Sequence, residues 1–340
     1  MIALDTTSFT RPLAFSRRNL IAGGAALAAL GAVPAPVFAK APLIKTQAPM
    51  FYRFKVGTIE ATVISDGPLA MGPLKPDFFK GQTPIDELKA LLTANYLDPD
   101  NITLEQNALV INTGSQLVLF DTGMGGAKTM GPNSGRLLDT LQAAGIRAED
   151  IDAVILTHAH PDHCWALMGH IGAPNFPNAQ IYMAESDFKF WTDESKAKHP
   201  AIGAMIGPTR GQLLPLKDNI TFIKDGAEVV PGVQAMAAPG HTVGHTVYMI
   251  TSGSASLCVL ADIAHHSVLM LEKPKIEFVF DTDGKQAVAT RIKVLDMLAA
   301  QRIPLIAYHF PFPGVGHVAK LGQGVGEGYR FYPAPMRTAL

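Results

Sequence analysis

The chain has 340 residues, 48% of them hydrophobic and 17% charged, with a formal net charge of -1. This is a globular composition, with enough apolar material for one large core or two moderate ones. Its 28 basic and 29 acidic residues are scattered, which excludes the clustered basic surface of a nucleic-acid binder and leaves a small molecule as the expected partner.

Residues 1–39 are read as an export signal. Arg11, Arg17 and Arg18 form a basic region, residues 21–30 are an apolar run, and small residues reach Val37-Phe38-Ala39, an A-x-A-like cleavage site. The apolar run is shorter than the roughly 20 residues of a spanning helix, so no stable membrane anchor is expected after cleavage. Ser16-Arg17-Arg18-Asn19-Leu20-Ile21 resembles a twin-arginine signal, which implies a periplasmic or secreted protein. Residues 40–340 are expected to form a single domain.

Beyond the signal, residues 54–64 alternate apolar and polar and run into the turn signal Ser65-Asp66-Gly67, which predicts one strand. Residues 108–112 and 116–120 are β-rich runs joined by Thr113-Gly114-Ser115, a hairpin pattern. The spacing of Leu137, Leu138 and Leu141 predicts a helix over 135–144, stopped by Gly145. A short apolar strand over 151–156 leads into a histidine-rich segment. Further strands are predicted over 233–237, 246–250, 256–260 and 303–307, with a long helix over 285–300. Residues 208–216 are read as a connector and 311–328, rich in Gly and Pro, as loop. Strand clusters in both halves, each followed by helices, predict a layered α/β sandwich. Cys164 and Cys258 are read as buried small apolar residues.

The chemistry concentrates in Thr157-His158-Ala159-His160-Pro161-Asp162-His163. Three imidazoles and a carboxylate fall within six residues, directly after an apolar strand. On extended backbone, His158 and His160 face the same side and can grip one ion. Pro161 pre-sets a turn, past which Asp162 and His163 can point at a second ion. Burying Asp162 without a partner would be costly, which argues for a cation. Other predicted strands also end on ligand-type residues: Pro239-Gly240-His241-Thr242-Val243-Gly244-His245, Leu260-Ala261-Asp262 and Tyr308-His309-Phe310. His245 is read as a loop-stabilising residue.

H-x-H-x-D-H, then G-H-T-x-G-H, an Asp after an apolar strand and a late His together resemble the metallo-β-lactamase superfamily. The resemblance implies a four-layer αββα sandwich. It implies two divalent metal ions, zinc first, with iron, manganese or cobalt as alternatives. His158, His160 and His241 would hold one metal, Asp162, His163 and His309 the other, and Asp262 would bridge them. Asp121, in Leu119-Phe120-Asp121-Thr122-Gly123, matches a segment that supports the site. A hydroxide held between the metals would be the nucleophile, and Asp162 or Asp262 would move a proton.

Within the superfamily, residues 62–67, 112–115, 240–245, 312–317 and 328–331 resemble methyl parathion hydrolase and its lactonase and arylesterase relatives. His265, Phe278, Phe280, Phe310 and Phe312 are the candidate substrate pocket, an aromatic set suited to an acyl or aryl group. An imidazole at 265 would narrow the pocket and hydrogen-bond an ester oxygen, so lactones or aryl esters are the expected substrates and phosphotriesters the alternative. A one-iron sulfur dioxygenase is the reading from another class, opposed by the presence of Asp162, His163 and His309. Phe51-Tyr52 is the candidate contact for a homodimer.

Overall fold

Strand residues alternate between two faces, and here both faces of two sheets are buried. A computed structural model describes residues 47–81, 83–200 and 202–336. The export segment expected over 1–39 lies outside the described residues. Among the described residues no helix is long and apolar enough to cross a membrane.

The first sheet contains β1 (Phe51–Val56), β2 (Ile59–Ser65), β3 (Asn107–Asn112), β4 (Leu117–Phe120), β5 (Ala153–Ile155), β6 (Gln180–Ala184) and β7 (Ile220–Ile223), side by side in that order. Pairing is antiparallel from β1 to β4 and parallel from β4 to β7. The second sheet holds β8 (Glu228–Val230), β9 (Val233–Ala237), β10 (Thr246–Ser252), β11 (Ala255–Ala261), β12 (Leu305–Ala307), β13 (Val315–Lys320) and β14 (Tyr329–Pro333), again in chain order. Its one parallel pair is β11 with β12. Parallel neighbours need long crossovers, and helices supply them. These are α2 (Leu137–Ala143), α3 (Pro161–Cys164), α4 (Glu185–Thr192) and α5 (Gly203–Leu213) in the first half, then α6 (Leu269–Glu272) and α7 (Gly284–Gln301). Helix α1 (Ile85–Ala94) precedes them.

Three apolar layers follow from the alternation. Phe120, Ile155 and Val63 face Tyr248, Val233 and Val259 between the sheets. Their neighbours Leu119 and Val154 point the other way, onto Leu141, Trp191 and Ile206 of the first helix layer. On the second sheet Cys258, Leu260 and Leu305 pack against Val294, Leu295 and Leu298 of α7. Each such large side chain contributes about 1.5–3 kcal/mol by leaving water. The result is the αββα order that the resemblance implies, with Cys164 and Cys258 both buried as free thiols.

Three sequence expectations change. The strand over 54–64 is a hairpin, broken at Gly57, whose φ of 60° suits glycine and whose added Cβ would fall 2.3 Å from the Ser252 carbonyl oxygen. The supposed connector over 208–216 is the end of α5 and a following 3-10 turn, because Ile206, Thr209 and Leu213 form a buried face despite Pro208. The loop expected over 311–328 contains β13, where Val315 and Val318 are buried between β12 and β14. Phe51 is exposed on the edge strand β1.

Asp66, just past β2, fastens the loops above the first sheet. One carboxylate oxygen accepts the Met124 and Gly135 N–H groups at 2.9 and 3.1 Å, and the other accepts Leu137 N–H at 2.7 Å. Burial pushes this carboxyl up to about 7, while those N–H bonds pull it back. A Cβ at Gly123 would strike it at 2.5 Å. Asp66→Asn turns one acceptor into a donor facing N–H groups, so it should cost about 1–3 kcal/mol. Urea denaturation would show this as a lower midpoint, and an unchanged midpoint would remove Asp66 from this role.

Candidate metal centre

Five strands, β4, β5, β9, β11 and β12, deliver side chains to one place, and local backbone devices aim them. After β5, Leu156 continues to pair with the first sheet through a 2.9 Å bond to Tyr182. His160 then precedes α3 with Pro161 as the first helical residue, where a proline costs no hydrogen bond. That turn places His163 back beside His158, with ring centroids 4.0 Å apart. At the end of β11 the pairing register shifts and Ala261 takes a φ of 47°, which breaks the alternation and turns Asp262 inward. The loop carrying His241 runs against α7 so closely that a Cβ at Gly240 would lie 2.2 Å from the Ala287 nitrogen.

The imidazoles are oriented by what lies behind them. His163 Nδ1 is 2.8 Å from Asp121 Oδ2, His241 Nδ1 is 2.9 Å from Asp281 Oδ1, and His309 Nδ1 is 2.7 Å from the Glu105 carbonyl. His158 Nδ1 lies 3.0 Å from Thr157 Oγ1, whose own proton goes to Asp121. With Nδ1–H donated outward, all four rings turn an Nε2 lone pair inward. His160 is reversed: its Nδ1 sits 3.0 Å from His158 Nε2 and 2.8 Å from His241 Nε2.

Three ring nitrogens therefore converge with lone pairs aimed at one another. Donor atoms of His158, His160, His241 and Asp262 lie within 4.8 Å of each other, as do those of Asp162, His163 and His309. A third set, Asp262, His265 and His309, meets the same limit. His163 Nε2 is 3.3 Å from Asp262 Oδ1, yet neither atom is hydrogen-bonded. Burial pushes His158 and His160 well below the ordinary histidine range, leaving neutral donors. For His163 burial also lowers, but Asp262, Asp162 and Asp121 outweigh it and hold the ring well above that range. Such a centre attracts positive charge, and imidazole nitrogen with carboxylate oxygen suits zinc, iron, manganese or cobalt. The residues fit divalent cations.

The structure thus gathers all seven candidate ligands, and Asp121 and His245 stand behind them. His245 has both nitrogens engaged: Nδ1–H donates to the Ala238 carbonyl at 3.1 Å, and Nε2 accepts the Asp262 N–H at 3.1 Å. Two supporting carboxylates went unread in the sequence. Asp187 of α4 accepts the N–H of Ala159 and of Gly244, both at 2.8 Å, and so joins the two histidine loops. Asp281 is the other. Each resembled an ordinary acid near a helix start or turn.

A cleft opens onto the centre, walled by Leu69, Met71, Met124, Met130, Phe278 and Phe280. His265 lines it too, stacked on Phe278 at 4.0 Å, with Nε2 3.1 Å from Asp262 Oδ2. Phe310 and Phe312 do not reach the cleft, contrary to expectation. Phe310 lies in the turn that follows β12, fully buried, and packs on Phe331 in the core. Phe312 packs against the core between the sheets.

The chain is 29% identical to AidC, a dizinc quorum-quenching lactonase solved with a product bound, over 85% of this chain and 99% of that one, with a TM-score of 0.78. A hydrolase of the beta lactamase superfamily, AbOPH, gives the same identity and TM-score over 86% of this chain and all of its own. An N-acyl homoserine lactonase of Bacillus cereus is 26% identical over 162 residues, 48% of this chain; the match spans 58% of that relative's length. Residues 102–317 match the family model of the metallo-beta-lactamase superfamily, and the chain belongs to that superfamily.

Proposed function

We propose that this protein is an exported, binuclear metal-dependent hydrolase of lactones or aryl esters, related to methyl parathion hydrolase and its lactonase and arylesterase kin. The observation that carries the reading is the pair of donor clusters joined by Asp262 at the floor of an apolar cleft. His158, His160 and His241 would hold one cation and Asp162, His163 and His309 the other, with zinc the best match to the donors. When bound, the two cations supply Lewis acidity, polarising the scissile carbonyl and lowering the pKa of water.

The chain's own residues do the rest. The methionines and Phe278 and Phe280 bind an acyl or aryl group and keep water away from it; unbranched methionines adapt to its shape. Asp162 has the more open of the two inner carboxylates, with 13% of its side chain exposed against 3% for Asp262. Its carboxylate is therefore the one placed to take a proton from the attacking water and pass it to the departing oxygen. His265, held flat against Phe278, offers a ring N–H to an ester or lactone oxygen. The lactonase names of the similar proteins support the ester and lactone class. The complete second cluster favours two metals over a one-iron redox centre.

Turnover of dihydrocoumarin, p-nitrophenyl acetate and methyl paraoxon by the zinc-loaded protein tests the substrate class. The lactone or the aryl ester should be fastest. A dominant phosphotriesterase activity would move the protein to its methyl parathion hydrolase-like alternative. His265→Leu should lower kcat/KM for ester and lactone by up to about tenfold, the scale of one hydrogen bond. A rise in those activities would remove His265 from substrate recognition.

A further inference from the structure

The Asp281 carboxylate has two tasks. Its Oδ1 accepts from His241 Nδ1 at 2.9 Å, while its Oδ2 accepts the Phe278 N–H at 2.8 Å. Its own N–H bonds the Phe278 carbonyl at 2.9 Å, closing a tight turn around the aromatic wall. The next two N–H groups return to the histidine loop, Thr282 to the His241 carbonyl at 2.8 Å and Asp283 to that of Gly240 at 2.9 Å. The Asp281 side chain is 1% exposed. On the far side, the buried Arg291 of α7 donates to the carbonyls of Ile263, Pro274 and Ile276 at 2.7, 2.8 and 2.5 Å. The segment 274–283 is therefore pinned at both ends, with Phe278 and Phe280 presented between.

We propose that Asp281 is a positioning residue that couples metal binding at His241 to the seating of substrate against Phe278 and Phe280. This rests on the two-metal reading above. The carboxylate fixes the His241 tautomer, with Nε2 free for a cation, through the same group that fixes the backbone of the aromatic wall. A shift of the wall must move Asp281, and with it the ring that holds the metal. A neutral amide cannot serve both donors, because its NH2 would face one of the two N–H groups.

Cobalt titration of the metal-stripped protein, followed by the visible absorption of bound cobalt, reads the coupling without turnover. Asp281→Asn should bind cobalt about 10–100-fold more weakly, the usual effect of losing a group that orients a ligand. It should also raise KM for p-nitrophenyl acetate. Phe278→Leu, a change at none of the seven candidate ligands, should weaken cobalt binding several-fold in the native background and add nothing to Asp281→Asn. Circular dichroism confirms that each variant is folded; Phe278→Leu alone carries the test if Asp281→Asn does not fold. Unchanged cobalt affinity in both variants, or effects that simply add in the double variant, would overturn the coupling while leaving the two-metal reading intact. Native protein that takes up no cobalt would overturn both.

Discussion

Five imidazoles crowd one buried carboxylate. Ring nitrogens of His158, His163, His241, His265 and His309 all lie within 3.6 Å of an Asp262 oxygen. No protonation pattern of these groups satisfies them together. Neutral rings aim lone pairs at each other and at the carboxylate, whereas protonated rings repel one another away from water. An uncompensated buried charge costs several kcal/mol. Divalent cations between the rings answer both problems, since each accepts several lone pairs and neutralises the carboxylates.

That constraint explains how the surrounding chain is spent. Ligands on separate loops would drift unless the loops were tied, and buried carboxylates tie them. Asp121 joins the end of β4 to Thr157 and His163. Asp187 joins the segment after β5 to the segment before β10. Asp281 joins His241 to the cleft wall. Two non-glycine residues at strand ends, Asp121 at φ 61° and Ala261 at φ 47°, hold left-handed backbone. Such positions cost about 1–3 kcal/mol and persist where the surrounding structure fixes them. Both occur where a strand must turn a functional carboxylate toward the centre.

The residues that the fold gathers were legible because their chemistry is dense. Four ligand-type residues within six positions after a strand have few other uses, and the remaining three candidates, His241, Asp262 and His309, each follow a predicted strand. The sandwich was legible because continuous apolar runs such as Leu117–Phe120 mark strands buried on both faces. Asp187 and Asp281 were hidden because a buried acid and an exposed acid look alike until the fold brings their N–H partners to them. Phe310 was misread because the chain leaves β12 at Ala307 and turns, so strand alternation does not give the direction of its side chain. The Gly57 turn was misread although the alternation changes phase there, from Phe54 and Val56 to Ile59, Ala61 and Val63, with the two-residue loop Gly57-Thr58 between.

Metal content of the purified, dialysed protein, measured by plasma emission against amino-acid analysis, tests the two-cation centre most directly. Two equivalents of zinc or another divalent cation per chain is the expected result. One equivalent of iron, or protein that stays folded and retains no metal, would contradict it.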